Sequence, residues 1–164
     1  MTLEDVQQLL NALMNLNCWH VGVGEATGSS IHLALGAKVR RRVPLRSLPQ
    51  NDEYREYQGE ASILVWCTWR LDSVVAPIAS SDLSPNALSL ALGVLIGKRV
   101  LEVAVLAPAA DLWIKLSDGL ELRVFCDHIP GNPSFDGNWQ VRVRDVIVAA
   151  GPGYHWRTSH GEAG

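Results

Sequence analysis

Cys126-Asp127-His128 is the tightest grouping of chemically capable residues in this chain. A thiol, a carboxylate and an imidazole in succession can supply a nucleophile with its base, or donors to a metal. The pattern puts the triplet at a strand end, entering the Pro/Gly-rich segment Ile129 to Pro133. Alone it is a weak signal, since a loop histidine is ordinarily just solvated. Gly22 to Gly28 has the look of a phosphate-binding glycine loop, but it is one residue too long, and neither a helix nor a P-loop lysine follows. His155 and His160 lie in a tail without helical pattern, so they make a poor metal pair. No nucleophile elbow or zincin motif occurs. The expectation is no assigned catalytic residue, no metal and no cofactor, with an enzyme built on Cys126, Asp127 and His128 kept as an alternative. His20 and His32 sit on strands, facing outward or making one structural hydrogen bond.

Binding chemistry is better represented. Arg46–Glu60 carries Glu53, Tyr54, Glu56 and Tyr57. Tyrosine brings large contact area at low rotamer cost, which suits a partner surface. We take Tyr54, Tyr57, Glu53, Glu56 and Trp113 as candidate partner-binding residues. Trp113 and Trp66 are out of phase with the core positions of their strands. They lie either under helices or in an exposed aromatic patch. The basic run Lys38, Arg40, Arg41, Arg42 and Arg46 could take phosphate. It lacks interleaved stacking aromatics, an acidic stretch follows it, and the chain has a net charge of −3 and a pI near 5.9. Nucleic acid is therefore disfavoured. Arg41 is in phase with inward-facing Leu33, so either a bulge turns it out or it is paired inside.

The elements that would position these residues recur. Thr2 opens an amphipathic run through Val6, Leu9, Leu10 and Leu13; about 82 residues later Ser84 opens another through Leu88, Ala91, Leu92 and Leu95. Both hydroxyls suit an N-cap, Asp5 completes a capping-box spacing, and Pro85 suits the first helical position. Strands follow in each half. Val21 and Val23 match Val103 and Val105. Ile31, Leu33 and Leu35 match Leu112, Ile114 and Leu116. Val39, Val43 and Leu45 match Leu120, Val124 and Cys126. Leu116 and Leu120 keep their apolar sets on one face only if Ser117-Asp118-Gly119 is a three-residue hairpin loop with Gly119 left-handed. Gly36-Ala37-Lys38 is the expected loop of the first copy, more strained or differently built. Trp69 and Trp139 lead the closing strands and are expected in the core. Ile63 to Leu71 reads as one strand covered on both faces.

The predicted fold is α+β: two pseudo-symmetric α-β-meander repeats of about 82 residues sharing an antiparallel sheet, sandwich or barrel-like core. The lobes are 1–81, with an insertion at 46–60, and 82–150, forming one compact domain. The tail 151–164 leaves the pattern, and its last residues are expected to fray. Met1–Asn17 is acidic and amphipathic rather than signal-like, and no apolar run reaches a membrane span. Cys18, Cys67 and Cys126 are an odd set, far apart in sequence and in apolar surroundings, as expected of buried reduced thiols in a cytoplasmic protein rather than a disulfide frame or metal cluster.

Four segments carry a family resemblance: Thr68-Trp69-Arg70-Leu71, Leu95 to Val100 (LIGKRV), Asp111 to Phe125 (DLWIKLSDGLELRVF) and Asn138-Trp139-Gln140-Val141. The arrangement resembles a family of small bacterial proteins of unknown function with a WRL strand, an LIGK-V helix exit, a DG hairpin and a closing Trp strand. It covers most of residues 60–150. The resemblance carries over no functional residue. Separately, analogy with proteins of this size and style suggests toxin immunity. The sequence reading is a non-enzymatic protein-binding module with an unknown protein partner, and a homodimer is compatible with it. The alternatives are a small-molecule binder with its ligand between the lobes, and the small enzyme named above.

Overall fold

The computed structural model describes residues 1–24, 30–46, 52–128, 137–151 and, as backbone alone, 156–160. Helix α1 (Leu3–Leu10) begins where capping chemistry puts it. Asp5 N–H donates to Thr2 Oγ1 at 3.2 Å, and Thr2 N–H donates to Asp5 Oδ2 at 2.7 Å. Helix α3 (Pro85–Ala91) has Ser84 at its N-cap, but the hydroxyl makes no capping bond there. Proline in the first turn, with φ already fixed, sets that start. Each helix tightens into a 3₁₀ turn, Asn11–Leu13 or Leu92–Leu95, before its strand.

The strands are β1 (Cys18–Val23), β2 (Ile31–Arg40), β3 (Tyr57–Val65), β4 (Thr68–Asp72) and β5 (Pro77–Ser80). They continue as β6 (Val100–Leu106), β7 (Asp111–Leu116), β8 (Glu121–Phe125), β9 (Trp139–Val143), β10 (Val146–Ala150) and β11 (Trp156–His160). A short helix, α2 (Asp52–Glu56), precedes β3. The fold is α+β and antiparallel, with two open sheets of order β1-β2-β3-β9-β10-β11 and β5-β4-β8-β7-β6. The chain crosses between them at Trp66-Cys67 and again between Cys126 and Asn138. The five-stranded sheet is therefore built wholly from residues 68–125, so the sheets do not divide at 81/82. Helix α1 packs on β6 of the second sheet, and α3 packs on β1 of the first and on β5. One hydrophobic cluster takes side chains from both sheets and both helices.

The core follows the strand alternation. Trp69 and Trp139 are fully buried, as expected. Trp139 Nε1 donates to the Ala110 carbonyl at 2.8 Å, satisfying the indole inside the core. The second hairpin is also as expected: Leu116 N–H donates to the Leu120 carbonyl at 2.8 Å, and Gly119 has φ +74°. Asp118 is left-handed too, at φ 61°.

Four expectations are corrected. Gly36-Ala37-Lys38 is no turn; it lies inside β2, where the register with β3 slips between Leu35 and Lys38. Gly36, at φ +76°, takes up that bulge, and Glu60 Oε2 accepts the Ala37 N–H at 2.7 Å. Val43 and Leu45 are not strand residues, and Val43 is exposed; β2 has already ended at Arg40. Ile63 to Leu71 is two strands in two sheets, because the chain turns at Trp66-Cys67. The tail is not wholly outside the pattern: β11 pairs along β10, from Val146 opposite His160 to Ala150 opposite Trp156.

Candidate functional site

The insertion packs onto the sheet rather than standing away from it. In β1 and β2 the residues alternate, so Ile31, Leu33 and Leu35 enter the core while His32 and Ala34 face the other way. His20, opposite Ala34, joins them. Helix α2 covers this outer face. The Tyr54 ring stacks on His20 at 3.9 Å and 10°, and its hydroxyl lies 3.1 Å from His32 Nδ1. Arg41, turned outward beyond the bulge, has its guanidinium 4.7 Å from the Tyr54 ring centre, and its Nε donates to the Tyr54 carbonyl at 3.1 Å. From β9, Arg142 donates to the Gly59 carbonyl at 2.8 Å. Arg41 Nη2 is buried without an acceptor among the described residues.

This is a cationic, enclosed cluster. Burial first, then the charges of His20, Arg41 and Arg142, bring the His32 pKa down to about 4. The ring is neutral at pH 7 and can accept the Tyr54 hydroxyl proton. Burial, followed by the neighbouring Arg41, also lowers the Arg142 pKa.

Tyr54, expected as a partner contact, is 9% exposed and spent on His20, His32 and Arg41. Its phenol lets one side chain fill apolar space and satisfy an imidazole, so it anchors the insertion instead. Tyr57 is half-buried at the start of β3, while Glu53 and Glu56 are exposed. Glu53 Oε1 pairs with Lys38 Nζ at 2.5 Å. That pair realises the expected pairing of the basic strand with the acidic insertion. Residues 47–51, also part of the predicted insertion, lie outside the described residues.

Trp113 is on the other sheet, away from these four. Its outer-face neighbours across the ladder are Ala104, Arg123 and, one strand further, Arg70. Trp113 Nε1 donates to Glu121 Oε2 at 3.1 Å, and Arg123 donates to the same oxygen at 2.8 Å. Arg70 pairs with Asp72 at 2.7 Å and lies 5.9 Å over the Phe125 ring. Arg123, Arg70 and Phe125 remain 47%, 43% and 37% exposed, respectively. Sequence reading took Trp113 alone. The predicted hairpin already sets Arg123 opposite Trp113, but Arg70 is legible only as the polar phase of an alternating strand, because its adjacency depends on the pairing of β4 with β8.

Cys126, Asp127 and His128 form a structural corner. The Cys126 thiol donates to the Ala110 carbonyl at 3.1 Å and is 8% exposed. Asp127 accepts the Thr68 hydroxyl. His128 Nδ1 lies 2.9 Å from the Gly137 carbonyl, and buried Asn138 accepts the His128 N–H at 2.9 Å. Residues 129–136 and His155 lie outside the described residues. Among the described residues no group of three or more His, Cys, Asp or Glu is placed to hold a metal. Among the described residues no helix is long and apolar enough to cross a membrane.

An open depression of about 280 Å³ lies where both halves of the chain meet on the six-stranded sheet. It is lined by Val39, Gln58, Gly59 and Glu60 from one side and by Arg142, Arg144 and Asp145 from the other. The chain matches no family model, no curated protein and no solved structure.

Proposed function

We propose that this protein is a non-enzymatic binding module for another protein, and that it engages its partner through the outer face of the five-stranded sheet, centred on Trp113. One observation carries the reading: Trp113, Arg123, Arg70 and Phe125 lie side by side there, with the arginines and Phe125 exposed. Tryptophan and arginine dominate the energetics of protein interfaces. The arginine ends of the ion pairs that hold Arg70 and Arg123 are exposed, though their carboxylate partners Asp72 and Glu121 are partly buried, so a partner's groups can reach both guanidiniums.

The reading gains from a comparison of the two halves, which we propose are copies of one α-β-meander whose sheets pack as a sandwich. Each first hairpin slips register at the corresponding place, between Cys18 and His20 and between Val100 and Glu102. Gly22 is opposite His32 as Ala104 is opposite Trp113. His32 and Trp113 are thus equivalent positions. The first half covers His32 with its own insertion, through Tyr54. The second half connects β7 to β8 by Ser117–Gly119 alone, and that connection brings no such cover among the described residues. A partner segment with an aromatic anchor would occupy on Trp113 the place that Tyr54 occupies on His32. Neutralisation of a toxin is the form of this reading that analogy with proteins of this size and style suggests.

The test is a tagged pull-down of the full chain from its native cell, read by mass spectrometry. Baits are the wild type, Trp113→Ala/Arg123→Glu, and Glu53→Ala/Glu56→Ala on the insertion. One stoichiometric partner, lost only in the Trp113 bait, supports the sheet face. Loss only in the Glu53 bait moves the site to the insertion, and a clean wild-type bait removes the reading.

The depression supplies a second reading, a small charged ligand held between the halves. It sits just below the usual range of ligand pockets. A thermal shift by small zwitterions or anions that Arg142→Gln abolishes would support it.

A further inference from the structure

Cys67 and Cys126 lie at the neck of the five-stranded sheet, where the chain enters it and where it leaves. The β4–β8 ladder pairs Thr68 with Phe125, Trp69 with Val124 and Leu71 with Leu122. One step further, the same register sets Cys67 opposite Cys126. The two segments are still together there, because Asp127 Oδ1 accepts the Thr68 N–H at 3.3 Å. The phase of the ladder fixes which kind of pair this is. Trp69 turns its N–H to Ser81 Oγ and its carbonyl to the Ser81 N–H, away from β8. Cys67, two residues earlier, has the same phase, and its N–H goes to the Asn138 carbonyl while that of Cys126 goes to Asp111 Oδ1. The cysteines are therefore a non-hydrogen-bonded antiparallel pair. In such pairs the Cα atoms approach to about 4.5 Å and the side chains are close, within the span a disulfide requires. Both side chains point to the core face, with Trp69, Leu71, Leu122 and Val124. Thiol–thiol interaction with Cys126, followed by burial, raises the Cys67 pKa, consistent with sulfurs in contact.

We propose that Cys67 and Cys126 are a disulfide-forming pair, closed by a hydroperoxide oxidant and locking the neck of the five-stranded sheet. Cys126, the less buried residue of the two, attacks one oxygen of hydrogen peroxide. The O–O bond breaks, one water leaves, and Cys126 becomes a sulfenic acid. The Cys67 sulfur then displaces the sulfenic hydroxyl, which leaves as a second water with the Cys67 proton. Two thiols are oxidised, one peroxide is reduced, and the new bond is S–S. The bond would close residues 67–126, which hold every strand of the five-stranded sheet, into one loop. Cys18 stands apart from this pair: its thiol donates to the His20 carbonyl at 3.5 Å, and burial pushes its pKa up to about 12.

The test uses the full-length protein, both treated with hydrogen peroxide in the native state and refolded from urea in an oxidising glutathione buffer. Free thiols are alkylated and the protein is digested without reduction. The expected product is a single Cys67–Cys126 cross-linked peptide, with Cys18 alkylated. Its thermal midpoint rises by about 10 °C, and dithiothreitol reverses the rise. In Cys67→Ala, Cys126 should instead carry glutathione as a mixed disulfide after refolding. The proposal is overturned if Cys67 and Cys126 both remain alkylatable after refolding. Cross-links that include Cys18 as often as not would also overturn it, as would a cross-link that leaves the midpoint unchanged.

Discussion

Burial of His32 under Tyr54, with the charges of His20, Arg41 and Arg142 around it, sets a pH dependence that belongs to this residue. Its pKa in the folded state is about 4, against an ordinary 6.5. Between those values the unfolded chain binds a proton that the folded chain refuses. Stability therefore rises with pH through that window, is complete above about 6.5, and is lost as pH falls toward 4. The difference amounts to at most roughly 3 kcal/mol. Urea midpoints at pH 7 and pH 4.5 should show that loss in the wild type, and His32→Asn should flatten it. Tyr54→Phe leaves a buried imidazole nitrogen without its hydroxyl partner and should cost about 1–2 kcal/mol at pH 7, read from the same curves. The sequence showed that the insertion held two tyrosines but not which of them faced inward. Helix α2 is only five residues long, too short for a periodicity to mark its buried side.

At the scale of elements, the two halves differ through one glycine. A glycine inside an alternating strand can mark a turn or a bulge, and the flanking residues decide. Asp118-Gly119 sits between two apolar sets that must share a face, so its loop length followed from the alternation alone. Gly36-Ala37-Lys38 was read by analogy with it, but the pairing partner of β2 comes only after α2, in β3. The separation in sequence hid the hairpin. The bulge at Gly36 is what ends the strict alternation and carries Arg41 to the outer face. A Cβ on Gly36 would meet the Glu60 side chain as well as an unfavourable φ. Gly36→Ala should cost roughly 2 kcal/mol, and Gly119→Ala only about 1, because the residue it would press on, Val74, is exposed and can yield. Chemical denaturation of both variants would rank them; equal costs would mean that Glu60 moves aside freely.

At the scale of the molecule, the chain interleaves what its sequence lays out in series. The helices, the second hairpin and the two core tryptophans were legible because each depends on residues near in sequence. The exchange of strands was not, because Trp66-Cys67 breaks a run whose residues are apolar on both sides of the break. Hydrophobicity alone gave no reason to end a strand there. The exchange has a mechanical consequence. Residues 1–81 alone would leave β4 and β5 without β8, β3 without β9, and α1 without β6. Residues 82–164 alone would leave β9 and β10 without β3, β8 without β4, and α3 without β1 and β5. Each fragment would expose apolar strand edges and half of a shared core, in a chain length where cores are thin even when intact. Neither fragment should fold by itself, while an equimolar mixture of the two should regain the circular dichroism spectrum of the intact chain. In that chain, Trp69→Ala and Trp139→Ala should each cost about 3–5 kcal/mol, and each should shift the unfolding of both sheets together as one transition. Two separate transitions, or a fragment that folds alone, would mean that the sheets are stable as independent units and that the shared cluster contributes little to either.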